Sequence, residues 1–185
     1  MESGAKQTIY KVFSFGSNNP LQVARRLECP YLRYYACEVQ DMKLAFAGKA
    51  SRWEGKSPAT LIPREGAVVK GVCYELTEAQ VLKLDEFEGH PIIYARTPVV
   101  MRLKGTSEAI EGVAYIMQDL NEFIYPAKIY LEAISKTHHA YHLLPPWGPG
   151  DDETSEISIE IVNALTGDSE GTEIIPVSAK DLVNA

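Results

Sequence analysis

Leu84-Asp85-Glu86-Phe87-Glu88-Gly89-His90-Pro91-Ile92-Ile93-Tyr94-Ala95-Arg96 carries the chain out of a helix, through a turn and into a strand. Just upstream, Thr77-Glu78-Ala79-Gln80 has the form of a capping box, with Thr at the cap and Gln three residues later. The helix it opens carries Leu82 and Leu84 and is expected to stop before Gly89, the residue type suited to a left-handed C-cap. Downstream, Tyr94 to Leu103 is rich in valine, threonine and tyrosine. Lys104-Gly105-Thr106-Ser107 turns the chain, and Ile110 to Met117 returns as a hairpin partner. The helix is thus followed by a hairpin and not by a β-α-β crossover.

The rest of the chain extends this pattern. Ile9 to Phe15 reads as a strand, broken by Gly16-Ser17-Asn18-Asn19-Pro20. A helix is expected over Leu21–Leu27, with Pro20 at its first position. Strands are expected at Tyr34–Val39, Lys43–Ala47, Ala59–Pro63 and Val68–Leu76. Pro126 opens a helix to about Tyr141, with Ile129, Leu131, Ala133 and Ile134 as apolar positions. Pro145-Pro146-Trp147-Gly148-Pro149-Gly150 marks a linker. Ile157-Ser158-Ile159-Glu160-Ile161 alternates, as in a single edge strand or a docking arm. Strands dominate without regular β-α-β alternation, so the expected fold is α+β, a small mixed β-barrel with surrounding helices. Residues 1–142 would form one domain, with 143–185 a linker and acidic C-terminal extension packed on it.

At 185 residues and 45% hydrophobic, the chain can bury one substantial core. No apolar run reaches the length of a membrane span, and Met1–Lys6 lacks the form of a signal peptide. Cys29, Cys37 and Cys73 show neither metal-ligand nor redox spacing, and read as buried thiols of a cytoplasmic protein. The net charge of −7 is uneven: residues 151–185 hold nine acids and one lysine, a net of −8, leaving about +1 for residues 1–150. There is no basic footprint for nucleic acid.

Four groups of residues could carry chemistry. Phe15-Gly16-Ser17-Asn18 lies between a strand and a helix start, where successive N–H groups can hold an anion. It fits equally a tight turn with Ser17 or Asn18 as the N-cap. Asp85, Glu86 and Glu88 fit a solvated, acidic helix end. Glu88, however, stands beyond the helix among Phe87, Ile92, Ile93 and Tyr94, a frame suited to a general acid–base carboxylate. Tyr94, Tyr115 and Tyr130 fit core or rim packing with a wet hydroxyl. His138 and His142 are four residues apart on one helix, but no further ligand is apparent, and a solvated helix end explains them; no metal is expected.

In order, these pieces resemble the gamma-glutamylcyclotransferase-like family, which includes the AIG2-like proteins. The family's Tyr-Gly-Ser-Asn loop is here Phe15-Gly16-Ser17-Asn18. Its glycine-bearing strand is Lys70-Gly71-Val72-Cys73-Tyr74. Its Leu-Asp-x-x-Glu-Gly motif and following tyrosine are Leu84–Gly89 and Tyr94. Tyr115 and Pro126-Ala127-Lys128-Ile129-Tyr130 complete the set, so the resemblance spans roughly residues 8–142.

The resemblance implies a cofactor-independent reaction on a small-molecule gamma-glutamyl substrate. The α-amine attacks the γ-carbonyl, giving 5-oxoproline and a released amine. It implies Glu88 as general acid/base and Ser14, Phe15, Gly16, Ser17, Asn18, Tyr94, Tyr115 and Tyr130 around the substrate. Gamma-glutamyl amino acids are the expected substrates. The alternatives are a gamma-glutamylamine cyclotransferase, with action on glutathione third among the enzymes, or a non-catalytic AIG2-like binding module. Phe15 replaces the family's loop tyrosine, so a hydroxyl contact is lost there. No membrane or nucleic-acid partner is expected, and the protein would be a monomer or homodimer.

Overall fold

A computed structural model describes residues 7–142 and 154–178. The element order is β1 (Ile9–Ser14), α1 (Pro20–Leu27), β2 (Arg33–Phe46), a 3-10 turn (Ser51–Trp53), β3 (Ala59–Thr77), α2 (Glu78–Glu88), β4 (Tyr94–Leu103), β5 (Ala109–Met117), α3 (Lys128–His142), β6 (Thr154–Val162) and β7 (Ser169–Ser178). Five strands close a barrel in the order β1-β3-β2-β4-β5, and β6 and β7 form a separate two-stranded sheet. The fold is the expected α+β mixed barrel with helices.

The barrel is antiparallel except at its seam, where β1 meets β5 in parallel through Val12 opposite Val113 and Phe13 opposite Ala114. Gly112 makes that seam possible. A Cβ there would lie 2.4 Å from the Lys11 carbonyl oxygen and 2.5 Å from Met101 Cε. β1 alternates only loosely because both of its faces are covered. Phe13 enters the principal core with Cys37, Val39, Leu61 and Met101. Val12 joins a second core with Val23 and Leu27 of α1, Val81 and Leu84 of α2, and Tyr74 and Leu76 of β3.

Two pairs of expected strands are each one long strand. β2 runs unbroken through Gln40–Met42 because Asp41 takes a left-handed conformation, φ 57°, as a bulge. Opposite it, β3 accommodates Arg64–Ala67 between the paired residues Pro63 and Val68, and Asp41 Oδ1 accepts from Gly66 N–H at 2.8 Å. The polar residues that suggest breaks are therefore a bulge within one ribbon.

The single edge strand expected at Ile157–Ile161 is instead half of a hairpin, β6 with β7. Its alternation has a clear cause: Ile157, Ile159 and Ile161 are buried in the same core as the barrel and as Leu131 and Ile134 of α3. The proline-rich linker at 145–150 lies outside the described residues. No helix among the described residues is long and apolar enough to cross a membrane.

Candidate active site

The second core sets the site. Val23 and Leu27 of α1 pack with Val81 and Leu84 of α2, so the two helices lie side by side on the barrel wall. Arg26, one residue before Leu27, is thereby carried to the C-terminal end of α2, where Glu88 is the last helical residue. Gly89 ends the helix at φ 63°, a left-handed conformation costly for other residues. The turn is pinned by Ile92 and Ile93 N–H groups donating to the Gly89 carbonyl, both at 2.9 Å, and by His90 N–H donating to the Asp85 carbonyl at 3.0 Å. Tyr94 then enters β4 five residues after the helix ends. The placement of Glu88 is thus fixed by a cap, a turn and a helix pair.

Glu88 is not framed by apolar groups alone, as its sequence neighbours suggest. Its Oε1 accepts from Arg26 Nη1 at 3.0 Å and from Asn18 Nδ2 at 2.9 Å. Arg26 Nη1 also donates to Asn18 Oδ1 at 2.6 Å, closing a triangle. The Arg26 and Glu88 side chains are only 9% and 14% exposed, so the ion pair is largely shielded from water. Burial pulls the Arg26 guanidinium below its ordinary value, and the charge of Glu88 works in the opposite direction. The guanidinium also lies 5.1 Å from the centre of the Phe87 ring. Glu88 Oε2 has no hydrogen-bond partner among the described residues.

The loop after β1 faces this carboxylate. Its N-cap is Asn19, not Ser17 or Asn18: Asn19 Oδ1 accepts from Gln22 N–H at 3.1 Å, and Pro20 follows at the first helical position. That leaves the Asn18 side chain free to reach Glu88. The Asn18 carbonyl is held by the hydroxyls of Ser14 and Tyr74, each at 2.8 Å. Thr137 Oγ1 donates to the Gly16 carbonyl. No acceptor among the described residues meets the N–H groups of Gly16, Ser17 and Asn18. Successive unpaired amides of this kind suit an anion or a polarised carbonyl.

Ser14, Phe15, Gly16, Ser17, Asn18, Glu88, Tyr94, Tyr115 and Tyr130 all line one cavity of about 40 Å³. The tyrosine hydroxyls there are engaged rather than wet. Tyr94 donates to the Ala59 carbonyl at 2.8 Å, and Tyr130 accepts from the Ala59 N–H at 2.7 Å. Together they clamp the start of β3. Tyr115 donates to Asp85 Oδ1 at 2.6 Å. Burial raises all three phenols above their ordinary value, so they stay neutral. Phe15 is buried and packs 6.1 Å from Phe13, filling the place of a tyrosine with an apolar contact.

Two expectations of solvated helix ends hold only in part, for the exposed Glu86 and His142. Asp85 is buried and takes Tyr115 and Arg96, the latter at 3.3 Å, because α2 presents it inward to β4 and β5. His138, on α3, is half-buried, with its Nε2 shut off from solvent, and His139 is buried outright. Both follow from α3 packing along the barrel and the hairpin.

Arg26 escapes a reading of the sequence. Only its position three residues after buried Val23 places it at the edge of an inward face, and nothing local points it to residue 88. A second cavity, of about 500 Å³, adjoins the first and shares Ser17, Glu88, Tyr94 and Tyr130 with it. Arg52 and Trp53, which also line it, equally lack a motif in the sequence.

Comparison with known proteins agrees with this fold. Among solved structures, one described as "Gamma-glutamyl cyclotransferase" matches at a TM-score of 0.64 and 21% identity, over 72% of this chain and 80% of that one. An uncharacterized protein from Homo sapiens matches at 0.65 and 22%, over 73% and 81%. YkqA from Bacillus subtilis matches at 0.60 and 15%, over 72% and 49%. At these identities the likeness is one of fold. A search of curated proteins finds no match. The sequence model described as "Gamma-glutamyl cyclotransferase, AIG2-like" matches residues 12–132, the span that supplies the loop after β1, Glu88 and the three tyrosines, and the chain belongs to that family.

Proposed function

We propose that this protein is a gamma-glutamyl cyclotransferase that converts gamma-glutamyl amino acids to 5-oxoproline and the free amino acid. One juxtaposition supports the reading above all. Glu88, held through one carboxylate oxygen by Arg26 and Asn18, shares a small cavity with the unpaired amides of Gly16, Ser17 and Asn18. One glutamyl group can touch both.

In this reading Glu88 Oε2 accepts a proton from the substrate's α-ammonium. The freed amine attacks the γ-carbonyl carbon, forming the ring N–C bond. The electron pair of the carbonyl moves to oxygen, and the loop amides of residues 16–18 receive the glutamyl moiety and its developing charge. Collapse of this intermediate breaks the bond to the leaving nitrogen, which takes the first proton back from Glu88; Glu88 then takes the second proton from the new ring nitrogen and passes it to the released amine. Two protons thus move from the α-nitrogen to the leaving nitrogen, giving a neutral lactam, an ammonium product and the starting carboxylate. Holding the glutamyl chain folded, in a cavity closed by Phe15 and the Tyr94–Ala59–Tyr130 clamp, supplies the proximity that an intramolecular attack requires.

The test is direct. The protein is incubated with gamma-glutamyl-alanine, gamma-glutamyl-ε-lysine and glutathione, and 5-oxoproline is measured. Turnover is expected with the first substrate. Glu88→Gln, which keeps an oxygen for Arg26 and Asn18, is expected to fold normally and lose about 10³-fold in kcat. A Glu88→Gln variant that remains active removes Glu88 from the chemistry. A wild-type protein that forms no 5-oxoproline from any of them leaves the binding-module reading in its place.

A further inference from the structure

We infer that the larger cavity is the subsite for the leaving amino acid, with Arg52 pairing its α-carboxylate and an apolar lip receiving a large apolar side chain. This rests on the cyclotransferase reading above. The small cavity, at about 40 Å³, has room for only part of a glutamyl group and none for what is attached to it. Whatever is attached to the γ-nitrogen must pass the wall the two cavities share, where Glu88 stands. Beyond that wall lies a space of about 500 Å³, the size of sites that take a substantial organic group.

The chemistry of that space is asymmetric. Its cation nearest the reacting centre, Arg26, is committed to Glu88 and Asn18. Lys49 runs back over its own loop, its Cε facing Gly55. Arg52 is different. It makes no ion pair among the described residues, and its one polar contact is a long bond from Nη2 to the Phe87 carbonyl, 3.4 Å. That contact puts the guanidinium one residue from Glu88, and its charge is felt at Arg26, Tyr94 and Tyr130. A guanidinium with a fork of unused donors beside a site that releases an amino acid is suited to a carboxylate.

The lip beside Arg52 is apolar and exposed. Ile92 is 80% exposed, Ile93 57% and Phe87 38%, all lining the same cavity. An exposed apolar rim of this size beside a cavity fits an apolar substituent. Asp119 and Glu122 also reach the cavity, and would instead suit a leaving group bearing a second ammonium.

The experiment compares gamma-glutamyl-phenylalanine, gamma-glutamyl-phenethylamine, which lacks only the carboxylate, gamma-glutamyl-alanine and gamma-glutamyl-ε-lysine. It uses the wild type and Arg52→Gln. The readout is kcat/KM for 5-oxoproline formation, with dissociation constants measured by calorimetry on Glu88→Gln with and without Arg52→Gln. The wild type is expected to prefer the phenylalanine compound over the phenethylamine compound about tenfold, and Arg52→Gln to bring that ratio close to one. Phenylalanine is also expected to exceed alanine by about tenfold. A phenylalanine-to-phenethylamine ratio that is the same in both proteins, or a wild-type preference for gamma-glutamyl-ε-lysine, overturns the proposal while leaving the cyclotransferase reading intact. If no substrate turns over, that reading falls. The calorimetric ratio then decides the subsite alone: dependence on Arg52 upholds it, and independence overturns it.

Discussion

Arg26 is the residue on which the geometry of Glu88 turns. Its guanidinium occupies Oε1 and leaves Oε2 without a partner among the described residues. In the proposed reaction it is a positioning residue, since it touches the carboxylate and not the reacting atoms. Arg26→Gln removes the cation from a largely buried pair, and is expected to cost about 3 kcal/mol in urea unfolding. It is also expected to lower kcat for gamma-glutamyl-alanine by about 10²-fold, with a much smaller change in KM, because a carboxylate free to turn is misplaced by about an ångström. Arg26→Lys restores the charge but not the paired geometry and should recover part of kcat. Equal losses in kcat and KM, or no recovery with lysine, would reduce Arg26 to a structural role. At this scale the sequence shows Glu88 and the Gly16–Asn18 loop by residue type and order. It does not show Arg26 or Arg52, whose relation to residue 88 exists only across helix and loop boundaries.

At the scale of elements, α2 has two ends with different duties. Its N-terminus is closed by a capping box, with Thr77 N–H donating to Gln80 Oε1 at 2.9 Å and Gln80 N–H donating to Thr77 Oγ1 at 3.3 Å. Thr77→Ala should cost about 1 kcal/mol and leave turnover per folded molecule unchanged. Gly89→Ala, at the other end, places a Cβ 2.8 Å from Ile93 Cδ1 on a left-handed backbone. A cost of about 1–2 kcal/mol is expected, together with a fall in turnover, because the displaced cap carries Glu88. Thermal melts and initial rates on the same preparations compare the two ends. Both caps are legible in the sequence because they are local: Thr, Gln and Gly act within one turn. The inward face of α3 is less so. Burial, with Lys70 and His142 nearby, holds His138 down at about 4. The unfolded chain takes up that proton near the ordinary histidine value of about 6.5. Stability is therefore intact above that value and is lost as pH falls from about 6.5 to about 4, by up to about 3 kcal/mol. Urea midpoints across that range should fall for the wild type, and fall less for His138→Leu.

At the scale of the whole molecule, the hairpin of β6 and β7 shares a core with the barrel. Ile161 is fully buried, and Ile159 nearly so, against the residues of α3 and the barrel. Ala164 N–H donates to the Phe46 carbonyl at the end of β2, 3.0 Å, joining the two sheets. Ile161→Ala should cost about 3 kcal/mol and lower the midpoint of a single unfolding transition seen by all probes. A separate early transition would show that the hairpin unfolds by itself. By itself the sequence determined the barrel class and the run of its elements as far as α3, with β2 and β3 each split in two, and the resemblance named most residues of the small cavity. Caps, turns and strand alternation act over a few residues, and the motif order records the family. Only the tertiary structure decided which helix faces meet, and hence that Arg26 and Asn18 hold Glu88, that Asp85 is buried, and that Arg52, without an ion pair among the described residues, stands beside a second cavity. These depend on packing between segments distant in the chain, where the energy of a contact is set by what lies opposite and leaves no local pattern.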